Sequence, residues 1–238
     1  MINLEDLEIE YKYSPRRKSI GLTVTAAGKL VISAPRGTPA AEIARAVARH
    51  RNWIEAKATE RQEAWARLQE GAAYFLGRPY RLSLAKKAKM AKNGREPVAL
   101  KGDEIRVWPG ADNPLWPTLR AWLASQADAY INARAAAYAP QLGVKVRPVE
   151  MREWRRRWGE CHPDGHLRFN WRLIMLPPEI IDYVVVHELA HLLAPGHNPR
   201  FWRVVAAVLP DWQERRRWLN RYGTPFLLWQ PTAANLPY

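Results

Sequence analysis

Residues 7–13 alternate apolar and polar side chains, with Leu7, Ile9, Tyr11 and Tyr13 in step, which is the period of a half-buried strand. Ser14-Pro15-Arg16-Arg17 breaks the pattern. Two more strands are expected at 20–25 and 30–34, joined by the short connection Ala26-Ala27-Gly28-Lys29. Thr38 then reads as a helix cap with Pro39 at the first helical position. The spacing of Ile43, Val47, His50, Trp53 and Ile54 predicts one helix over about 39–69. Residues 74–84 read as two short strands around Gly77-Arg78-Pro79, and 98–100 and 104–108 as another pair. The turn formers at 109–114 make the best domain boundary in the chain. A long alanine-rich helix follows at 115–142, with Leu119, Trp122, Leu123, Ala127, Tyr130 and Ile131 as its apolar stripe and Gly143 as its stop. Strand character returns within 144–161 and at 167–171, with Pro163-Asp164-Gly165 as the turn between.

Pro178 opens a well-defined helix, which Pro195-Gly196 ends. Ile180, Ile181, Val184 and Val185 are its buried face. Asn198-Pro199 has the form of a cap and first residue of one more helix. The whole predicts an α+β protein. An N-terminal antiparallel β-rich domain with one long helix covers 1–112. A second domain at 113–223 packs the Pro178 helix on a small antiparallel sheet, and 224–238 forms a C-terminal tail.

The Pro178 helix carries the chemistry. It contains His187-Glu188-Leu189-Ala190-His191, with His197 after the Pro-Gly turn. Histidines four apart share a helical face, so both imidazoles reach one metal ion from the same side. Glu188 is placed to act on a water there. Three protein ligands with one open position are the catalytic zinc arrangement, so the pattern points to a Zn2+-dependent hydrolase. His197 is the expected third ligand, because the chain reverses before it. Glu214, further downstream in Asp211-Trp212-Gln213-Glu214-Arg215, is the rival.

Composition adds three constraints. The single cysteine, Cys161, forms no intrachain disulfide, which fits a reducing compartment. No apolar run is long enough to span a bilayer, and the N-terminus is acidic where a signal peptide is basic, so the chain reads as cytoplasmic with no membrane partner. The net charge of +14 is spread over both halves, which suits contact with nucleic acid or nucleotides through a basic surface. Two rival functions follow: a phosphoanhydride or nucleotide hydrolase using the same metal, and a nucleic-acid-associated protease or DNA-binding protein. The basic loop at 86–95 is the most cationic stretch. Tryptophans beside arginines (Trp154-Arg155, Arg157-Trp158, Trp171-Arg172, Arg217-Trp218) suggest cation–π stacking.

Taken together, Arg157-Trp158-Gly159-Glu160-Cys161, Phe169-Asn170-Trp171-Arg172-Leu173, the His187–His191 helix and His197-Asn198-Pro199-Arg200-Phe201-Trp202 resemble the YgjP-like metallopeptidases, relatives of the SprT-like zincins. The resemblance extends to about Tyr222 and includes the Leu76-Gly77-x-x-Tyr80 pattern. It implies a zincin-like catalytic domain, zinc on His187, His191 and His197, Glu188 as general base, and a peptide or unfolded-protein substrate. The chain departs from the family at Glu160, where a serine is usual, and at His162, where a small polar residue is usual. Asn170 and Arg172, expected on a strand edge beside the helix, are candidates for pairing with substrate or for holding an oxyanion. Cys161 is a candidate regulatory or structural ligand. His162 and His166 flank the Pro-Asp-Gly turn and could bind a second metal, but no acidic or cysteine cluster with metal spacing completes them, which favours a solvent-exposed hairpin end.

Overall fold

The computed structural model describes residues 2–69, 71–85, 97–108 and 115–231. The basic loop at 86–95, the turn-rich 109–114 and the end of the tail at 232–238 lie outside the described residues. The chain divides into two compact units, Met1–Leu68 and Gln69–Tyr238.

In the first unit, β1 (Ile9–Ser14), β2 (Gly21–Val24) and β3 (Leu30–Pro35) form a sheet in the order β1-β3-β2. β2 and β3 are the expected hairpin, with Leu22 opposite Ile32. β1 pairs parallel with β3, Tyr11 opposite Ile32, so the sheet is mixed and not antiparallel. The hairpin inserts with its second strand beside β1, and that strand runs the same way as β1. Leu30, Ile32 and Ala34 are buried with Ile43, Ile54 and Ala58 of the helices. Tyr11 and Tyr13 are exposed on the edge strand. The single helix expected over 39–69 is two: α1 (Ala40–Arg49) and α2 (Arg51–Ala66). His50 leaves the helical region at φ −107°, ψ 13°. Its carbonyl accepts from Ile54 N–H and starts the second helix. No glycine or proline marks that break. α2 instead takes its place from the N-terminal segment, where Leu4 N–H donates to Glu55 and Ile2 N–H to Thr59.

In the second unit, β4 (Ala72–Phe75), β5 (Arg78–Leu84), β6 (Val98–Lys101) and β7 (Glu104–Val107) form a sheet in the order β4-β5-β7-β6. This sheet belongs with the later residues, so the boundary falls after Leu68 and not at 112. The reason lies in the turn between β4 and β5. Leu76 N–H donates to Ile174 O at 2.7 Å and Gly77 N–H to Met175 O at 3.3 Å. Gly77 has φ 77°, and a Cβ there would stand 2.7 Å from Pro177 Cα. Only glycine allows this turn to press on the segment that feeds the motif helix. Tyr74 packs edge-on to Phe226 at 5.2 Å, so the start of the expected tail is docked as a short helix (Thr224–Leu228), with Phe226, Leu227 and Trp229 buried.

α3 (Leu115–Tyr138) buries Leu119, Leu123, Ala127, Ile131 and Ala135, a four-residue repeat along one face. A second small sheet holds β8 (Glu150–Arg152), β9 (Gly159–Cys161) and β10 (Leu167–Asn170) in the order β8-β10-β9. β10 runs antiparallel to β9 and parallel to β8, so this sheet too is mixed where an antiparallel one was expected. After Asn170 the chain turns into a short 3-10 segment, Trp171–Met175, all of it buried. Then come α4 (Pro178–His191), α5 (Pro199–Val208) and α6 (Trp212–Tyr222). α4 is apolar nearly all round and largely buried, as a central helix must be. Two acidic residues are buried on it, Asp182 and Glu188, and the first is held by α3. Arg134 donates through Nε at 2.6 Å and through a terminal nitrogen at 2.7 Å, and Tyr138 O–H at 2.9 Å. A bidentate, fully satisfied pair of this kind fixes the register of two packed helices. No helix among the described residues is long and apolar enough to cross a membrane.

Candidate metal centre

His187 and His191 leave the same face of α4, one turn apart. The helix ends at His191, Gly196 turns the chain at φ 78°, and Asn198 caps α5 by accepting Phe201 N–H at 3.0 Å. The reversal brings His197 back. The centroids of the three imidazoles stand 4.9 Å apart in every pair. Nε2 of His197 is 3.0 Å from Nε2 of His187, and one nitrogen from each ring lies within 4.8 Å of the others. Nitrogens about 2.0–2.1 Å from a tetrahedral zinc ion are roughly 3.4 Å from each other. The donor set is one that such an ion takes, with one nitrogen pair near that separation and all three nitrogens within 4.8 Å of one another. Among the described residues this is the only group of three metal-ligating side chains. Glu214 is not part of it. It is exposed on α6, 4.0 Å from Arg217.

Burial and the neighbouring imidazoles His191 and His197 push the His187 ring down to about 3. Burial also lowers His191, against a hydrogen bond with the Ala194 backbone. Neutral rings are the form that binds metal. Phe201, fully buried, lies under all three at 4.9, 4.5 and 5.0 Å. Periodicity alone did not mark it, although it follows the His-Asn-Pro-Arg signal directly.

Glu188 points from α4 toward β9 and is only 7% exposed. Burial pushes its carboxyl up to about 8, and a backbone hydrogen bond from Cys161 works against that rise. A Cβ on Gly159 would stand 2.7 Å from Glu188 Cγ and Oε1, so β9 can lie this close only because the residue is glycine. Gly159 was not among the residues singled out from the sequence, and Cys161 was singled out for its thiol and not for its N–H. Only the Trp-Gly-x-Cys signature hinted at them. An open cleft of about 920 Å³ runs past the histidines and Glu188, walled on the other side by Arg157 and 159–165.

The other candidates fall in different places. Cys161 lines the cleft, and burial, with Glu188 nearby, raises its thiol. His162 and His166 each place Nδ1 about 3 Å from Asp164, at 2.9 and 3.0 Å, which forms a closed turn and no second three-ligand cluster. Asn170 and Arg172 do not reach the cleft. β10 is the central strand and has no free edge, and Arg172 is past its end. Asn170, fully buried, donates to Trp154 O at 2.7 Å and Arg157 O at 3.1 Å and accepts Arg172 N–H. It shapes the chain leading into β9. Arg172 pairs with Glu153 at 2.7 Å and lies over Trp171 at 4.3 Å. Of the neighbouring tryptophan–arginine pairs only Trp171-Arg172 stacks. Elsewhere among the described residues Arg157 lies over Trp154, Arg216 over Trp202 and Arg172 over Trp116 as well.

The family model of the YgjP-like metallopeptidase domain matches residues 18–222. The chain belongs to the YgjP-like family. It is therefore a metallopeptidase, a metal-dependent hydrolase. Among solved structures it is similar to the metallopeptidase zymogen of Pyrococcus abyssi abylysin, at 26% identity and a TM-score of 0.34, over 39% of this chain and 95% of that one. No curated protein matches it. Within this YgjP-like chain the family match spans the H-E-x-x-H helix, β9 and His197 together.

Proposed function

We propose that this YgjP-like chain is a zinc peptidase acting on extended or unfolded polypeptide, with His187, His191 and His197 as ligands and Glu188 as general base. The observation that carries this is the convergence of three imidazoles on one point beside a buried carboxyl at the side of an open cleft. Zinc held there supplies a Lewis acid that acidifies water and polarises a carbonyl. Glu188 takes the proton from the attacking water and passes it to the departing amine nitrogen. Gly159 and the Cys161 N–H keep the carboxylate aimed along the cleft. Arg157, on the cleft wall, pairs with Glu160 beside it, and Arg172 pairs with Glu153 away from the cleft.

The test is reconstitution. Protein stripped with a chelator should lose hydrolysis of unfolded casein and regain it with one equivalent of zinc, while a panel of nucleoside triphosphates stays intact. Hydrolysis of the triphosphates with casein untouched would replace this reading with the phosphoanhydride one.

A further inference from the structure

The three ligands are not held alike. His187 and His191 sit within a packed helix, whereas His197 is exposed on the irregular stretch between α4 and α5. Ordering such a stretch costs conformational entropy, and unless the fold has already met that cost it is subtracted from metal affinity. Trp202, one turn into α5, meets it in two ways. Its indole N–H donates to the His197 carbonyl at 3.1 Å. Its ring lies nearly parallel to the His197 imidazole, 26° apart with centroids at 5.7 Å. Trp202 is itself fixed from α6. Trp212 stacks on it at 4.1 Å and 14°, and the Arg216 guanidinium, one turn further along α6, lies 4.8 Å from the ring centre. The chain of contact runs from α6 through two indoles to the third ligand. Neither tryptophan lines the cleft.

We propose that Trp202, braced by Trp212, is the positioning residue for His197 and sets the affinity of the centre for its metal. This rests on the zinc-centre reading above. Groups that orient a ligand from behind typically change metal affinity by about 10–100-fold when removed.

The experiment compares zinc dissociation constants of the full chain by competition with a chromophoric chelator, for the wild type, Trp202→Phe, Trp202→Leu and Trp212→Leu. Far-UV circular dichroism and the metal-free Tm establish that each variant folds. Trp202→Leu removes both the hydrogen bond and the stack and should weaken zinc about 10–100-fold. Trp202→Phe keeps a ring and loses the N–H, and should weaken it about 3–10-fold. Trp212→Leu, which does not touch His197, should move the constant in the same direction. The cobalt-substituted Trp202→Leu protein should show visible bands shifted toward those of His197→Ala, a change that a loss of stability alone does not produce. If a leucine variant fails to fold, the phenylalanine variant and its cobalt spectrum decide. Wild-type protein that binds no zinc removes the zinc-centre reading and this inference with it. Wild-type protein that binds zinc, with every folded variant binding equally well, overturns the inference and leaves the centre standing.

Discussion

α4 and β9 meet at the Glu188 carboxyl, and they hold it by different means. α4 places His187, Glu188 and His191 through its own backbone ladder, and α3 clamps it at Asp182. β9 is three residues long and has no such ladder. It keeps its place by pairing with β10 and by the Asn170 side chain, which ties down the carbonyls of Trp154 and Arg157 just before it. On the proposed mechanism the helix supplies the reacting groups, and the strand supplies the wall that aims one of them. The two should therefore fail differently: changes on α4 remove chemistry, and changes on β9 misdirect it.

Glu188→Gln should have the largest effect. The amide keeps the shape of the carboxyl and cannot carry a proton. Hydrolysis of an unfolded protein substrate should fall by about 10²–10⁴-fold, the range for losing a general base. Zinc content, measured by elemental analysis, should equal that of the wild type, because the amide leaves the three imidazoles untouched. Activity surviving this change would mean that the proton goes elsewhere.

Gly159→Ala attacks the same carboxyl from the strand. The new methyl group would arrive 2.7 Å from Glu188 Cγ and Oε1, and a side chain this buried has little room to retreat. A displacement on the order of 1 Å costs up to about 10²-fold in rate, so kcat should drop roughly 10–100-fold with zinc affinity unchanged. A variant with wild-type kcat would show that β9 is only a wall. A variant that loses zinc would show that the strand also supports the ligands.

The same contrast explains what the amino-acid order disclosed. α4 was legible because a helix carries its geometry in its own repeat, and Pro178, Gly196 and Asn198 mark its ends and its return. The His187, His191 and His197 set follows from that. β9 and β10 were not legible in the same way, since alternation gives a strand's period and not its neighbours. Asn170 and Arg172 looked like outward positions between Phe169, Trp171 and Leu173. The chain in fact leaves the strand at Asn170, and the 3-10 turn buries every residue from Trp171 to Met175. A buried arginine is permitted there because Glu153, nineteen residues earlier, reaches it together with two indole faces, Trp171 and Trp116. The domain boundary failed for a related reason. The prolines and glycine at 109–114 do punctuate the chain, but a boundary depends on what a sheet packs against, and the turn at Leu76-Gly77 packs on the segment before α4.

Glu153 offers the smallest and most local test, at the far end of the hairpin from the cleft. Burial acts to raise its carboxyl, but the hydrogen bond and charge of Arg172, joined by Arg120 at 2.6 Å, outweigh it and hold the group below the usual carboxylate range. A carboxyl lowered in the folded state stabilises the protein above its unfolded pKa. That contribution disappears as the pH falls through the folded-state pKa. Glu153→Gln should therefore cost about 1 kcal/mol at pH 7, a modest figure because the carboxylate is 37% exposed and solvent screens it. The difference between wild type and variant, from urea denaturation at a series of pH values, should shrink below about pH 4.5 and close in stronger acid. kcat at pH 7 should stay within about twofold, since Glu153 does not line the cleft. A gap that stays constant from pH 7 to acid would mean that Glu153 acts by shape and not by charge. A large loss of kcat would mean that the Arg172 pair governs β9 from a distance, and the division between the two sides of the carboxyl would then have to be drawn further along the hairpin.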